Sequence, residues 1–254
     1  MGELAAVGRT RPDRCPGILR PWPAEDGPLV RIRLVGGLLS AVQFEGLLRL
    51  SREYGDGNLH LTSRANVQVR AVRDPAAFAD ELEALGLLPS RSHERVRNIV
   101  VSPTGSLHGL ARDFDALLCA TPSLAGLPAR FLFGFDDCGD LGPLSPDLGV
   151  YVADGVARLV VGGRLGDIVA LDDVPNRLVE LALRFLTLRG EGPTAAWHVA
   201  ELPVELAAAA LEYPVTAAPP PMAIPDGVLT PDLAARLDVR EQLVVTPWRG
   251  VIPS

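Results

Sequence analysis

The sequence predicts an α+β protein: a β-α-β-β-α unit, a second α+β unit behind it, and an unfinished repeat of the first. Three observations carry this. Over residues 1–92 short stretches of two-residue alternation interleave with stretches of helical spacing. Residues 93–192 hold several apolar strand candidates followed by one strong helix. Residues 193–254 open with a proline-rich stretch and then return to the pattern of the first unit.

The elements follow in order. "LVRIRLVGG" (29–37) reads as a strand ending in a glycine turn, and "LSAVQFEGLLRLSREYG" (39–55) has apolar residues at helical spacing and closes at Gly55. After the turn "GDGN" comes "LHLTSRANVQVRAV" (59–72), long enough for two short strands around a bend. "DPAAFADELEALGL" (74–87) starts with Asp74 as N-cap and Pro75 at the first helical position, and is amphipathic up to Gly86. This order is that of a ferredoxin-like half-domain, with its helices on one face of a sheet.

The middle unit begins with "HERVRNIVVSPTGSLHG" and has strand candidates at "ARFLFGFDD", "LGVYVAD" and "VARLVVGG", then a helix at "VPNRLVELALRFLTLRG" (174–190). "VVGGRLG" (160–166) lacks the G-x-G-x-x-G spacing of a dinucleotide site and reads as a loop. No P-loop or nucleophile elbow occurs elsewhere. "YPVTAAPPPMAIPDG" reads as an extended linker. Beyond it, "DGVLTPDLAARLDVREQLVVTPWRGVIP" repeats "GGLLSAVQFEGLLRLSREYGDGNLHLTSRANVQV" in pattern, with Leu243-Val244-Val245-Thr246 matching Leu59-His60-Leu61-Thr62. The repeat stops before any counterpart of the helix at 75–86, so a truncated second half is expected.

Composition narrows the function classes. At 254 residues, with 48% hydrophobic and 22% charged residues, the chain can bury a sizeable core. "MGELAAVGRTRPDRCPG" offers neither a secretory signal nor a membrane anchor, and no apolar run is long enough to span a bilayer, so a cytoplasmic location is expected. The net charge of −7 argues against a nucleic-acid surface. All 24 basic residues are arginine. Lysine Schiff bases are therefore excluded, and any anion site must use guanidinium forks, which grip carboxylates with two hydrogen bonds. Cys15, Cys119 and Cys138 are scattered, with no metal-ligand spacing, so no metal site is expected from them.

The chemistry-bearing residues concentrate on one face. In a continuous strand Thr62, Arg64, Asn66, Gln68 and Arg70 all point the same way, opposite Leu61, Ala65, Val67 and Val69. Arg31 and Arg33 share a face of the preceding strand. Such a surface is either the solvated side of an antiparallel sheet or a cradle for carboxylates on a large planar ligand, and strand pattern alone leaves both open. "HERVRNIVVSP" adds Arg95, Arg97 and Asn98, while His93 and His108 read as surface or structural residues.

"RIRLVGG", "LHLTSRANVQV" and "VRNIVVSP" at these spacings resemble the siroheme-dependent nitrite and sulfite reductase superfamily. Within it, "RCPGILRPWPAEDGPLVRIRL", "LPARFLFGFDDCGD" and "VVTPWRGVIP" look most like the precorrin-3B synthase family of aerobic cobalamin biosynthesis. The resemblance implies ferredoxin-like halves paired around a tetrapyrrole, with a nitrite/sulfite-reductase-like central domain. It places Arg31 and Arg97 on the substrate side as catalytic residues, and Thr62, Arg64, Asn66 and Gln68 on the macrocycle. Of the basic pair after "LP" only Arg130 remains, because Leu132 holds the second position. The implied activity is an oxidoreductase reaction, oxygen-dependent hydroxylation of precorrin-3A, with a siroheme reductase or a non-catalytic tetrapyrrole-binding module as alternatives. The tetrapyrrole would be the precorrin substrate or a siroheme-like cofactor. The resemblance also implies a [4Fe-4S] cluster, whose ligands this chain does not supply, so a second chain carrying the cluster segment and an unidentified electron donor are the partners expected.

Overall fold

The computed structural model describes residues 13–216 and 222–254. The leader reading of residues 1–12 and the centre of the proline-rich stretch, 217–221, lie outside the described residues. The fold is α+β, as expected. In the first unit β1 (Trp22–Ala24), β2 (Gly27–Ile32), β3 (Leu38–Ser40), α1 (Ala41–Tyr54), β4 (Leu59–Leu61), β5 (Val67–Val69) and α2 (Pro75–Ala84) follow one another. Both helices start where local chemistry says they should. Ser40 and Gln43 close a reciprocal capping box on α1, and the Asp74 carboxylate accepts from the amide of Ala77, with Pro75 next in line.

The strand in 29–37 stops at Ile32, and the glycine turn expected after it forms a tight crossing. Val35–Gly37 forms a 3₁₀ turn in which Gly36 and Gly37 have φ of 60° and 74°. A Cβ on Gly37 would lie 2.0 Å from the carbonyl oxygen of Val245, so only glycine lets the two chain segments approach.

The second unit contains β6 (Ile99–Val101), α3 (His108–Ala120), β7 (Phe133–Asp136), β8 (Leu148–Ala153), β9 (Val156–Val161), β10 (Arg164–Val169) and α4 (Val174–Leu188). Strands β6, β7 and β8 are parallel; β8, β9 and β10 form an antiparallel meander, completed by β11 (Ala209–Glu212). The central sheet thus takes a strand from beyond residue 192. Residues 160–166 are not a loop: Gly162 and Gly163, at φ 58° and 75°, make the two-residue turn of the β9–β10 hairpin. Helix α3 has no counterpart among the expected elements, because Leu107 at its N-cap offers no capping side chain and Gly109 sits in its first turn. Tertiary packing supplies what the local signals lack: Phe114 of α3 lies 4.7 Å from Phe133, and Phe131 4.7 Å from Phe185 of α4, ring centre to centre. Each such buried ring is worth about 1.5–3 kcal/mol.

The last segment holds β12 (Met222–Ala223), β13 (Val228–Leu229), α5 (Pro231–Ala234), β14 (Gln242–Val245) and β15 (Gly250–Pro253). Its relation to the first unit is an exchange. The short strand before each helix pairs in the other copy's sheet: β3 with β14, and β13 with β4. Sheets β1-β2-β5-β4-β13 and β12-β15-β14-β3 result, and one hydrophobic core of residues from both copies lies under them. The turns also match. Thr62 and Asn66, like Thr246 and Gly250, close a loop with the threonine amide on the later carbonyl at 2.9 Å, and Ala65 and Arg249 have positive φ at the same place. The second helix, α5, has four residues against fourteen in α1. No described helix is long and apolar enough to cross a membrane.

Candidate ligand-binding groove

The polar residues of 62–70 do not lie along one straight strand. Ala65, at φ 54°, breaks the extension into β4, a tight turn and β5. Thr62 builds that turn: its hydroxyl oxygen accepts from the amides of Arg64 at 3.3 Å and Asn66 at 3.1 Å. Asn66, 1% exposed, points inward and accepts from the amide of Leu34 at 2.9 Å, while its Nδ2 is buried without a partner. Arg64 is thereby lifted onto the turn's tip, and its Nη1 donates to the carbonyl of Arg130 at 2.8 Å.

Register sets the rest of the face. Arg31 of β2 stands opposite Gln68 of β5, which stands opposite His60 of β4. Gln68 turns its amide oxygen to Arg31 and accepts from Nη2 at 2.7 Å and Nε at 3.0 Å. His60 is engaged with Asp56 at 2.7 Å, and Arg70, farther along, forks onto Asp26 at 2.7 and 2.9 Å. Gln68 therefore orients Arg31, and Arg70 is already neutralised.

Arg31, Thr62, Arg64, Asn66 and Arg130 line one cavity of about 310 Å³, together with Arg14, Cys15, Pro16 and Ser63. A neighbouring hollow of about 260 Å³ shares Arg31, Thr62 and Ser63 with it and adds His60, Gln68, Asp226 and Arg249. The groove is strongly positive. Among the described residues no carboxylate forms an ion pair with Arg31, Arg64 or Arg130. Burial lowers the guanidinium pKa of Arg31, and the charges of Arg64 and Arg130 push it the same way; Arg64 is likewise lowered by burial first. Arg130 stacks over the Trp197 ring at 5.4 Å, and Arg14 over Trp22 at 5.4 Å. Burial, then the nearby Asp13, raises the Cys15 thiol, so it stays protonated beside these cations.

Arg97 is placed elsewhere. Its Nε and Nη2 each meet an oxygen of Asp115 on α3 at 2.7 Å, with both residues buried. Burial alone would lower this arginine, but Asp115 outweighs it and leaves the pKa raised. Asn98 next to it donates to the carbonyl of Ala129 at 2.6 Å, and Leu132 is 3% exposed in the core. Arg14, Cys15, His60 and Arg249 line the groove without having been singled out; the only sequence signals for them are the "RCPG" stretch and the repeat's "WRG". His93 is structural, as expected: it is buried, with Nε2 on the carbonyl of Thr121 at 3.1 Å.

The site residues suit a polyanionic ligand, because guanidinium groups gathered at one cavity without an ion-pair partner among the described residues have donors left for external acceptors. They do not suit an iron–sulfur cluster. Cys15, Cys119 and Cys138 are free thiols, and among the described residues no group of three or more His, Cys, Asp or Glu could hold a metal ion.

Comparison with known proteins agrees with this geometry at the level of the superfamily. Residues 23–84 match the nitrite/sulfite reductase ferredoxin-like half domain. A ferredoxin–nitrite reductase from Leptolyngbya laminosa is 30% identical over 128 residues, 44% of this chain and 25% of that protein. A precorrin-3B synthase from Sinorhizobium sp is 30% identical over 71 residues, 28% of this chain and 16% of that protein. The solved structure of Mycobacterium tuberculosis NirA matches with a TM-score of 0.62 at 18% identity, over 89% of this chain and 54% of that one. The chain thus spans about half of that solved relative, and the matched stretches cover a quarter or less of the two curated ones. By sequence in its first unit, and by fold along most of its length, the chain is similar to the nitrite and sulfite reductases.

Proposed function

We propose that the groove binds a tetrapyrrole by its peripheral carboxylates, and that the chain serves an oxidoreductase of the precorrin-3B synthase kind acting on precorrin-3A. The observation that carries this reading is the set of Arg31, Arg64 and Arg130 around one cavity, none of them in an ion pair with a carboxylate among the described residues. Their settings are prearranged: Gln68 holds the fork of Arg31, the Arg130 carbonyl holds Arg64, and Trp197 holds Arg130. A macrocycle laid on this face gains two-point hydrogen bonds at its rim and a fixed orientation, which is how positioning lowers a barrier.

Two observations favour precorrin over a small oxyanion as substrate. The second basic position after "LP" is the buried Leu132, and Arg97 spends both ends of its fork on Asp115. The siroheme reductase reading retains one support, the longer match to a nitrite reductase. In that reading the groove holds siroheme, which supplies the iron at which an oxyanion is reduced. Cytoplasmic location, and a second chain that carries the cluster and receives electrons from a donor, remain part of the proposal, since this chain's thiols do not fit the cluster.

Titration with uroporphyrin III, an octacarboxylate, followed by its visible absorption, tests the groove. Arg31→Ala and Arg64→Ala are each expected to weaken binding roughly 10- to 100-fold, the worth of a charge-assisted hydrogen bond. Unchanged affinity in both variants sinks the reading. Oxygen-dependent turnover of precorrin-3A against anaerobic reduction of nitrite, with the same added reductant, decides between the two substrates.

A further inference from the structure

The exchange of strands carries the second copy into the wall of the groove. Val228 of β13 stands opposite His60 of β4, and this sets Asp226 and Gly227, the two residues before β13, beside the polar face of the first copy. With Arg249, on the turn between β14 and β15, they line the hollow of about 260 Å³ that shares Arg31, Thr62 and Ser63 with the main cavity. Arg249 is exposed, so a ligand can reach it from solvent. Its φ of 56° lies in the region that favours glycine, and Ala65 holds the same place in the first copy. Gly227 clears its path: a Cβ there would lie 3.2 Å from Arg249 Cβ and 3.0 Å from its Cδ, so the arginine stem is laid across the glycine. Among the described residues Arg249 forms no ion pair, although Asp226 lines the same hollow.

The lining narrows what the hollow can take. Its walls are polar apart from Leu61 and Gly227, which suits a charged group better than the flat apolar face of a macrocycle. Arg31 and Arg249 bring two positive charges and Asp226 one negative, while His60 is matched by Asp56 at 2.7 Å. One positive charge is left over, and one carboxylate neutralises it. A second carboxylate would meet the repulsion of Asp226. Gln68, which accepts from Nη2 of Arg31 at 2.7 Å and from Nε at 3.0 Å, fixes that arginine where the hollow and the main cavity adjoin.

We propose that this hollow takes one peripheral carboxylate of the macrocycle held in the groove, gripped between Arg249 of the second copy and Arg31 of the first. This role rests on the tetrapyrrole reading of the groove and adds to it a binding residue from the other end of the chain. Titration of the full chain with uroporphyrin III tests it. Arg249→Gly, which suits the positive φ, should weaken binding about fivefold, the range of an exposed charge contact, without lowering the melting temperature. Arg249→Lys should recover part of that loss. Asp226→Asn should bind more tightly than the wild type, because it takes a negative charge out of the hollow. A shared carboxylate also makes the two arginines interdependent. Arg249→Gly should therefore cost clearly less than fivefold when added to Arg31→Ala, and the full fivefold when added to Arg64→Ala. Unchanged affinity in Arg249→Gly, or equal costs in the two backgrounds, overturns the proposal. If that happens while Arg31→Ala and Arg64→Ala still weaken binding, the groove keeps its ligand and only Arg249 loses its role; if those two variants bind as the wild type does, both readings fall.

Discussion

At Arg97 the guanidinium fork meets both oxygens of Asp115 at 2.7 Å, inside the protein, on a helix that local signals do not announce. Removing one partner of such a pair strands a buried charge, which costs about 3–5 kcal/mol. Arg97→Ala is therefore expected to lower stability by that amount in urea unfolding while leaving uroporphyrin affinity unchanged; loss of affinity at unchanged stability would return Arg97 to the groove. Arg31 and Arg64 invert this pattern. They have no described carboxylate partner, so their substitution should cost binding and little stability, since cations held apart from one another repel. The same residue type thus does opposite jobs according to what faces it.

The segment after β7 shows chemistry at the scale of an element. Asp136, fully buried, accepts from the amides of Cys138, Gly139 and Leu141 and from the Tyr213 hydroxyl at 2.9 Å. This ties β6, β7 and the chain after β11 together. Ser102 Oγ lies 2.6 Å from Asp136 Oδ1 and 2.8 Å from Asp140 Oδ1, yet a hydroxyl has one proton to give. The second carboxylate is thus left facing the hydroxyl oxygen, an arrangement that favours a protonated acid, and burial, the largest cause, raises the pKa of Asp140. An acid with a raised native pKa stabilises the fold fully below its unfolded value, near 3.8, and loses that contribution as pH rises through the native value. Asp140→Asn, which imitates the protonated form, should melt above the wild type at neutral pH, with the gap closing as pH falls to about 4. A gap independent of pH would exclude the shared proton.

For the whole molecule the decisive feature is the exchange of β3 and β13 between the two copies. Neither sheet is complete without the other copy, and Leu39, Leu59, Leu229, Leu243 and Val251 share one core. The close crossing at Gly37 is the point where this can be broken. Gly37→Ala places a Cβ against the Val245 carbonyl at a positive φ, so it should destabilise the protein by more than the 1 kcal/mol or so of an ordinary glycine change. Amide exchange should speed up at β14 and also at β4 and β5, because both copies open together. Faster exchange confined to β14 would show that the halves are independent. The correspondence also shows where the copies differ: Arg64 on the first turn is matched by Trp248 on the second, and Asn66 by Gly250, while Arg249 stands where the first copy has Ala65.

Periodicity and capping made most elements legible in the sequence, since Asp74, Pro75, the helical spacing up to Gly55 and the alternation at 59–61 and 67–69 act within a turn or a strand. The arginine-only cation chemistry and the Thr62 turn with its echo at Thr246 were legible for the same reason. What local pattern does not contain is which distant groups meet. Arg33 reaches Asn98 across 65 positions, Arg64 reaches Arg130 across 66, and Tyr213 reaches Asp136 across 77. Tertiary structure alone therefore decided that Arg97 leaves the groove for Asp115, that Asn66 folds inward, and that the halves trade strands. Each outcome is the result of satisfying buried charges and backbone groups, and that requirement exists only once the chain is packed.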